Sequence, residues 1–407
     1  MRRTVRLLGI ASLATTALFA CSSAPKSGFD NTSGGTTPGD GTNTSGGVLG
    51  GGNTGDGGAT GHVCAPAKGN YDIPGNNCDD DGDGKVDNPP TCDSSLSANG
   101  TAEDFAKAMG ICATAATDGY GLVSAKFTRG TSGSQTPSAD QHGVLPKFGD
   151  VLKPREGSAL GVLSTGYAQE YDGAQGARFG GEDGVSNPGG KDWGASGTLP
   201  SGFPKAANGC QQSNKVRDAI DVQLTLKAPA NSSGIKFDLN FFSSEWPAYI
   251  CSQFNDGFIA YLSAKGFNNG TPDNMSFDAM KNPVSVNNGF FDRCTPNVDI
   301  GCAPMAVPAT SQCPGGTSEL QGTGFGITGQ WCSSYGGFLG GSGGNKTSTA
   351  GGATGWLTSS APVTAGETFT LDLVIWDTGD GVLDSSVLLD NFTWAEGAVT
   401  VSTDRPR

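Results

Sequence analysis

The chain has only two histidines, five methionines and 16% charged residues, and no apolar run long enough to span a membrane. The histidine shortage nearly excludes a serine hydrolase with a His base, because His62 sits in a Gly-rich stretch and only His142 remains. Zinc is disfavoured as well, since no CxxC or histidine-bearing spacing occurs. Basic residues are scarce too: 25 Lys and Arg face 39 Asp and Glu, for a formal charge of −14. That balance speaks against nucleic acid and phosphate-rich partners, and for divalent cations or simple solubility. What is abundant is glycine, with 66 residues. The composition describes a loop-rich, β-leaning exported protein better than a helical cytosolic enzyme.

The amino terminus fits export. Arg2, Arg3 and Arg6 precede the apolar LLGIASLATTALFA, and residues 1–20 are expected to be a signal peptide. Leu18-Phe19-Ala20-Cys21 resembles the lipobox of bacterial lipoproteins, which implies lipidation of Cys21 and a membrane partner through that lipid. Ser22 follows, so the expected location is the outer membrane or cell surface. Residues 21–62 are Gly/Ser/Thr-rich and read as a flexible tether with a reach of roughly 35 Å. The remaining ten cysteines, Cys64, Cys78, Cys92, Cys112, Cys210, Cys251, Cys294, Cys302, Cys313 and Cys332, suggest five disulfides.

Residues 63–95 hold the first acidic cluster. In CDDDGDGKVDNPPTC, Asp79, Asp81 and Asp83 alternate, Gly84 follows, and Lys85 and Asp87 take the seventh and ninth positions of an EF-hand-type loop. Calcium needs six or more oxygens, which short side chains on alternate residues can wrap around it, with Lys85 offering its carbonyl. Pro90 stands where a bidentate Glu belongs. The segment instead resembles the acidic CDxDGxxD-type repeats of exported bacterial proteins. Cys78 and Cys92 bracket the loop and either close it or leave one of them to pair with Cys64; a solvated Asp/Gly turn is the plainer alternative to calcium.

Thr101 and Asp104 suggest a capping box opening a short helix, with Phe105, Met109 and Cys112 at helical spacing. From about residue 120, short apolar runs alternate with Gly/Asn/Pro/Ser loops. In DVQLTLKA and KFDLNFF the apolar residues share one face, which predicts an antiparallel, jelly-roll-like β-sandwich with long disulfide-rich loops. GVLSTG (161–166), FFSSEWPAYICSQFNDGFIAYL (241–262), SVNNGFFDRC (285–294) and the segment 352–394 resemble choice-of-anchor L domain proteins. The resemblance spans about residues 96–396, with a Gly/Cys-rich insertion at about 295–351 and a tail at 397–407. It implies a surface-displayed β domain and no established reaction.

IWDTGDGVLDSS places Asp377, Asp380 and Asp384 between two buried-strand patterns, and SSEWPAYICSQFNDGF places Glu245 and Asp256 at strand ends. If these segments are neighbours, the carboxylates converge on one rim of the sandwich and need a cation, calcium, between them. The alternative makes Asp380-Gly381 a tight hairpin turn, with Asp384 and Asp390 accepting backbone hydrogen bonds. Trp193, Trp246, Trp331 and Tyr335 are candidate aromatic platforms, or else core residues. The leading expectation is a calcium-stabilised, lipid-anchored module for adhesion to an extracellular glycan or protein. A structural envelope protein comes second. A glycoside hydrolase using a carboxylate pair comes third, so the chain is expected not to be an enzyme.

Overall fold

The computed structural model describes residues 64, 66, 70–88, 91–131, 133, 135–170, 191–207, 209–246, 249–287, 289–296, 312–329 and 348–406. Cys21, His62, Cys302, Trp331, Cys332, Tyr335 and Phe338 lie outside them.

The protein is mainly β, with two antiparallel sheets and one α-helix among the described residues. The helix α1 (Ala102–Ala108) starts as the sequence predicts: Thr101 accepts from the Asp104 N–H, and the Asp104 carboxylate accepts from the Thr101 N–H. It stops before Cys112, however, because Gly110 turns left-handed at φ 91° and draws the chain away.

One sheet runs in the order β1 (Gly121–Thr128), β4 (Val216–Lys227), β13 (Thr368–Thr378), β6 (Gly257–Ser263) and β7 (Asp273–Asn274), with β8 (Val284–Ser285) also on β6. The other runs β15 (Ser402–Asp404), β12 (Leu357–Pro362), β5 (Gly234–Ser243), β14 (Ser385–Ala395), β3 (Leu160–Ser164) and β2 (His142–Leu145), with β11 (Gly352–Ala353) on β5. A small hairpin of β9 (Ile327–Gly329) and β10 (Ser348–Ala350) stands apart. The β1–β4 pairing ties the segment after α1 to the sheet, so α1 and β1 belong to the same core.

Alternation decides the interior. Ile220, Val222, Leu224 and Leu226 of β4, Phe237, Leu239 and Phe241 of β5, and Leu371, Leu373 and Ile375 of β13 all point into one core between the sheets. Much of the outer faces is covered too. Phe242, Val162 and Leu388 pack under Phe148, Leu152 and Phe325 on one side, and Val374, Trp376 and Ile259 pack under Leu199 and Phe203 on the other. Burial on both faces is why LDLVIW and VLLDNF read as nearly continuous apolar runs.

Four disulfides staple the described residues: Cys64–Cys78, Cys92–Cys112, Cys210–Cys251 and Cys294–Cys313. Cys78 therefore does not close the acidic loop onto Cys92. Cys92 instead ties that segment to the end of α1, and the fifth expected pair falls on undescribed positions. The alternative of a tight hairpin at Asp380-Gly381 is not what forms, because β13 and β14 lie in different sheets and residues 379–384 cross between them.

Candidate metal centre

One end of the sandwich gathers the carboxylates. The strands β3, β5 and β13 end there while β4, β6 and β14 begin there, so both sheets contribute. The inward rows do not stop where the apolar residues stop. Continuing each row by twos leads from Ile220 to Asp218, from Phe258 to Asp256, from Ile375 to Asp377, and from Phe241 past Ser243 to Glu245. The hydrophobic core thus ends in acids rather than in water. Asp384 joins them from the crossing loop.

All five are buried, with exposures of 0% for Asp218 and Asp256, 1% for Asp377 and Asp384, and 3% for Glu245. A shift in the β13–β4 register between Ile375 and Asp377 marks a bulge at the site, and Asp218 opposite it adopts φ 47°. Gly166 permits the closest approach: a Cβ there would overlap the Asp384 carboxylate.

Their hydrogen bonding is incomplete. Asp256 accepts from the Thr378 N–H at 3.0 Å and the Ser385 hydroxyl at 2.8 Å. Asp218 accepts from the Trp193 and Ala195 N–H groups at 3.1 and 3.0 Å, and Asp384 Oδ2 accepts from the Lys191 N–H at 3.2 Å. Against these, Glu245 Oε2, Asp384 Oδ1 and both oxygens of Asp377 are buried without a well-formed hydrogen bond, although the Thr165 hydroxyl and the Asp256 carboxyl lie beside Asp377. None of the ion pairs among the described residues includes Glu245, Asp256, Asp377 or Asp384.

Burial, reinforced by the neighbouring acids, pushes Glu245, Asp377 and Asp384 well above the usual carboxylate range. Burial lifts Asp256 to about 7 despite its donors, and Asp218 to about 6. Such a group must hold protons or a cation. A proton shared by the adjacent Asp256 and Asp377 carboxyls is one way to satisfy it; a divalent ion is the other, and it displaces those protons. Among the described residues no third carboxylate reaches this pair within 4.8 Å. An ion held by this pair would need further oxygens from Asp384, Glu245, backbone carbonyls or water.

Asp380 is exposed and accepts from the Val382 N–H, yet its charge still helps to raise Glu245 and Asp256. Asp218 is the member that the motif-based reading misses, although its place in the row of Ile220, Val222 and Leu224 was available. Trp246 packs against the core, stacked on Phe291 with centroids 4.8 Å apart. Trp193 is half-buried beside Tyr167, with the Lys191 ammonium 5.2 Å from its ring centre.

The Asp79 loop is arranged differently from an EF-hand. Asp79, Asp81 and Asp72 present oxygens that all lie within 4.8 Å of one another, the only such trio among the described residues. Asp72 lies seven residues before Asp79, so no loop spacing marks it. Asp83 accepts from the Lys85 N–H at 2.8 Å and pairs with its ammonium at 3.3 Å, while Asp87 turns away to cap the N–H groups of Gly75, Asn76 and Asn77.

The choice-of-anchor L domain model matches residues 156–393, which include Glu245, Asp256, Asp377 and Asp384. No curated protein and no solved structure matches the chain.

Proposed function

The chain belongs to the choice-of-anchor L domain family, which covers more than half of its length, and from that premise we propose a calcium-stabilised binding module for an extracellular glycan or protein. Family and disulfides together make it an exported, surface-associated protein. In our reading a lipid on Cys21 holds it at the outer membrane or cell surface. The observation that carries the cation is the set of buried carboxylate oxygens without well-formed hydrogen bonds on Glu245, Asp377 and Asp384. Calcium suits such a site because it accepts several oxygens at irregular geometry, whereas magnesium demands a near-octahedral cage. Its service is structural: an ion there joins loops from both sheets. The same burial keeps Glu245, Asp256, Asp377 and Asp384 from a glycosidic oxygen, so they do not make a hydrolytic pair.

The test is calorimetric titration of EDTA-stripped protein with calcium and with magnesium. Calcium is expected to bind with a dissociation constant on the order of 10⁻⁴ M, as in extracellular modules. The double variant Asp256→Asn, Asp377→Asn should lose that site, and Asp79→Asn, Asp81→Asn should keep it. Absence of calcium heat in the unaltered protein, or its loss only in the second variant, refutes the assignment.

A further inference from the structure

The carboxylates at the end of the sandwich are buried, and the strap of residues 191–207 leads from them to a second site. Its first residues hang on Asp384 and Asp218 through the N–H groups of Lys191, Trp193 and Ala195. Leu199 and Phe203 then lie on the outer face of the first sheet against Ala219, Ile259, Val374 and Trp376. Beyond them the Lys205 ammonium donates to the Lys281 carbonyl at 2.9 Å. Between the strap and residues 267–283 lies a cavity of about 310 Å³, walled by Phe203, Phe267, Phe277 and Pro283. Lys205, Lys281, Asn268 and Asp273 supply its polar groups.

The charge there runs against the rest of the molecule. In a chain of formal charge −14, the exposed residues Lys205 and Lys281 line one cavity, and neither forms an ion pair among the described residues. The Lys281 ammonium sits 3.4 Å from the centre of the Phe277 ring, which holds it at the wall. We propose that this cavity binds a carboxylate-bearing sugar residue, a uronate, of an extracellular glycan; the proposal rests on the reading of the chain as a surface binding module. The aromatic wall meets the apolar C–H face of a pyranose, the two ammonium groups meet its carboxylate, and Asp273 and Asn268 accept from its hydroxyls. The volume is at the lower end of ligand pockets, about 300 Å³, which suits a single ring better than a folded peptide. Asp273 also repels a dianionic phosphate more than it repels a singly charged carboxylate.

The experiment uses the full chain, loaded with calcium and freed of excess by gel filtration. Calorimetry then compares trigalacturonate, its methyl ester and triglutamate. Trigalacturonate is expected to bind with a Kd between about 0.1 and 1 mM, the ester at least about tenfold more weakly, and triglutamate not measurably. Lys205→Gln and Lys281→Gln should each weaken trigalacturonate about tenfold without moving the melting temperature. Absence of trigalacturonate binding, equal binding of the ester, indifference to both lysine variants, or triglutamate binding as tightly as the sugar overturns the proposal. Loss of sugar binding with the calcium response intact removes the cavity alone. An absent calcium response with sugar binding retained removes the cation and leaves the cavity.

Discussion

Replacing Asp377 by Asn removes a buried carboxyl whose oxygens lack well-formed hydrogen bonds while leaving its shape almost unchanged. With calcium at one hundred times its dissociation constant, binding to the folded state alone stabilises the unaltered protein by about 2.7 kcal/mol. Unfolding entropy of about 2.1 cal/mol/K per residue, applied to the unit His62–Arg407, gives a rise in Tm of roughly 4 °C. In Asp377→Asn that rise should shrink to about 1 °C or less, since one charged ligand is gone. In EDTA the order should reverse: the variant melts at or above the unaltered protein, because the substitution also relieves repulsion from Asp256 and Asp384. Differential scanning calorimetry in both buffers reads all four midpoints. Two results refute the reasoning: a full calcium rise retained in Asp377→Asn, or a variant that melts well below the unaltered protein in EDTA.

Away from the proposed ion, burial raises Asp390 to about 7 from 3.8 even though it accepts from the Arg155 and Asn391 N–H groups. The folded state therefore binds more protons than the unfolded one, and stability falls as pH climbs from about 4 to about 7, by on the order of 4 kcal/mol. Asp390→Asn should flatten that slope in urea titrations between pH 4 and 8; an unchanged slope contradicts the burial argument. Gly166→Ala forces a methyl onto the Asp384 carboxylate and should cost about 1–3 kcal/mol by chemical denaturation, with a weakened calcium response. Phe105→Ala empties the ring that lies against Gly161 beneath β3 and should cost about 3–5 kcal/mol, read from the urea midpoint, with calcium affinity unchanged.

Strand identity was legible because a period of two, or a short unbroken apolar run where both faces are covered, leaves a direct imprint on sequence. DVQLTLKA, IKFDLNFF and FTLDLVIW all form strands facing the core. The capping box at Thr101 and Asp104 was legible for a similar reason, since its hydrogen bonds lie within one turn. The meeting of Glu245, Asp256, Asp377 and Asp384 was conditional on which strands are neighbours, and no local rule supplies that. Asp218 and Asp72 show the same limit. Asp218 is far in sequence from its partners, and Asp72 stands outside the alternate-position pattern of Asp79 and Asp81, so each joined an acidic group only once the chain had folded.

A β-rich exported chain, an alternating core and an acidic, histidine-poor chemistry can be read directly from the residues, because composition and short periods are local properties. That β13 and β14 belong to different sheets, that Cys78 pairs with Cys64, and that the ends of the inward rows form one buried acidic group follow from the folded arrangement alone. Those outcomes depend on long-range pairing, whose energy is shared among residues up to hundreds of positions apart.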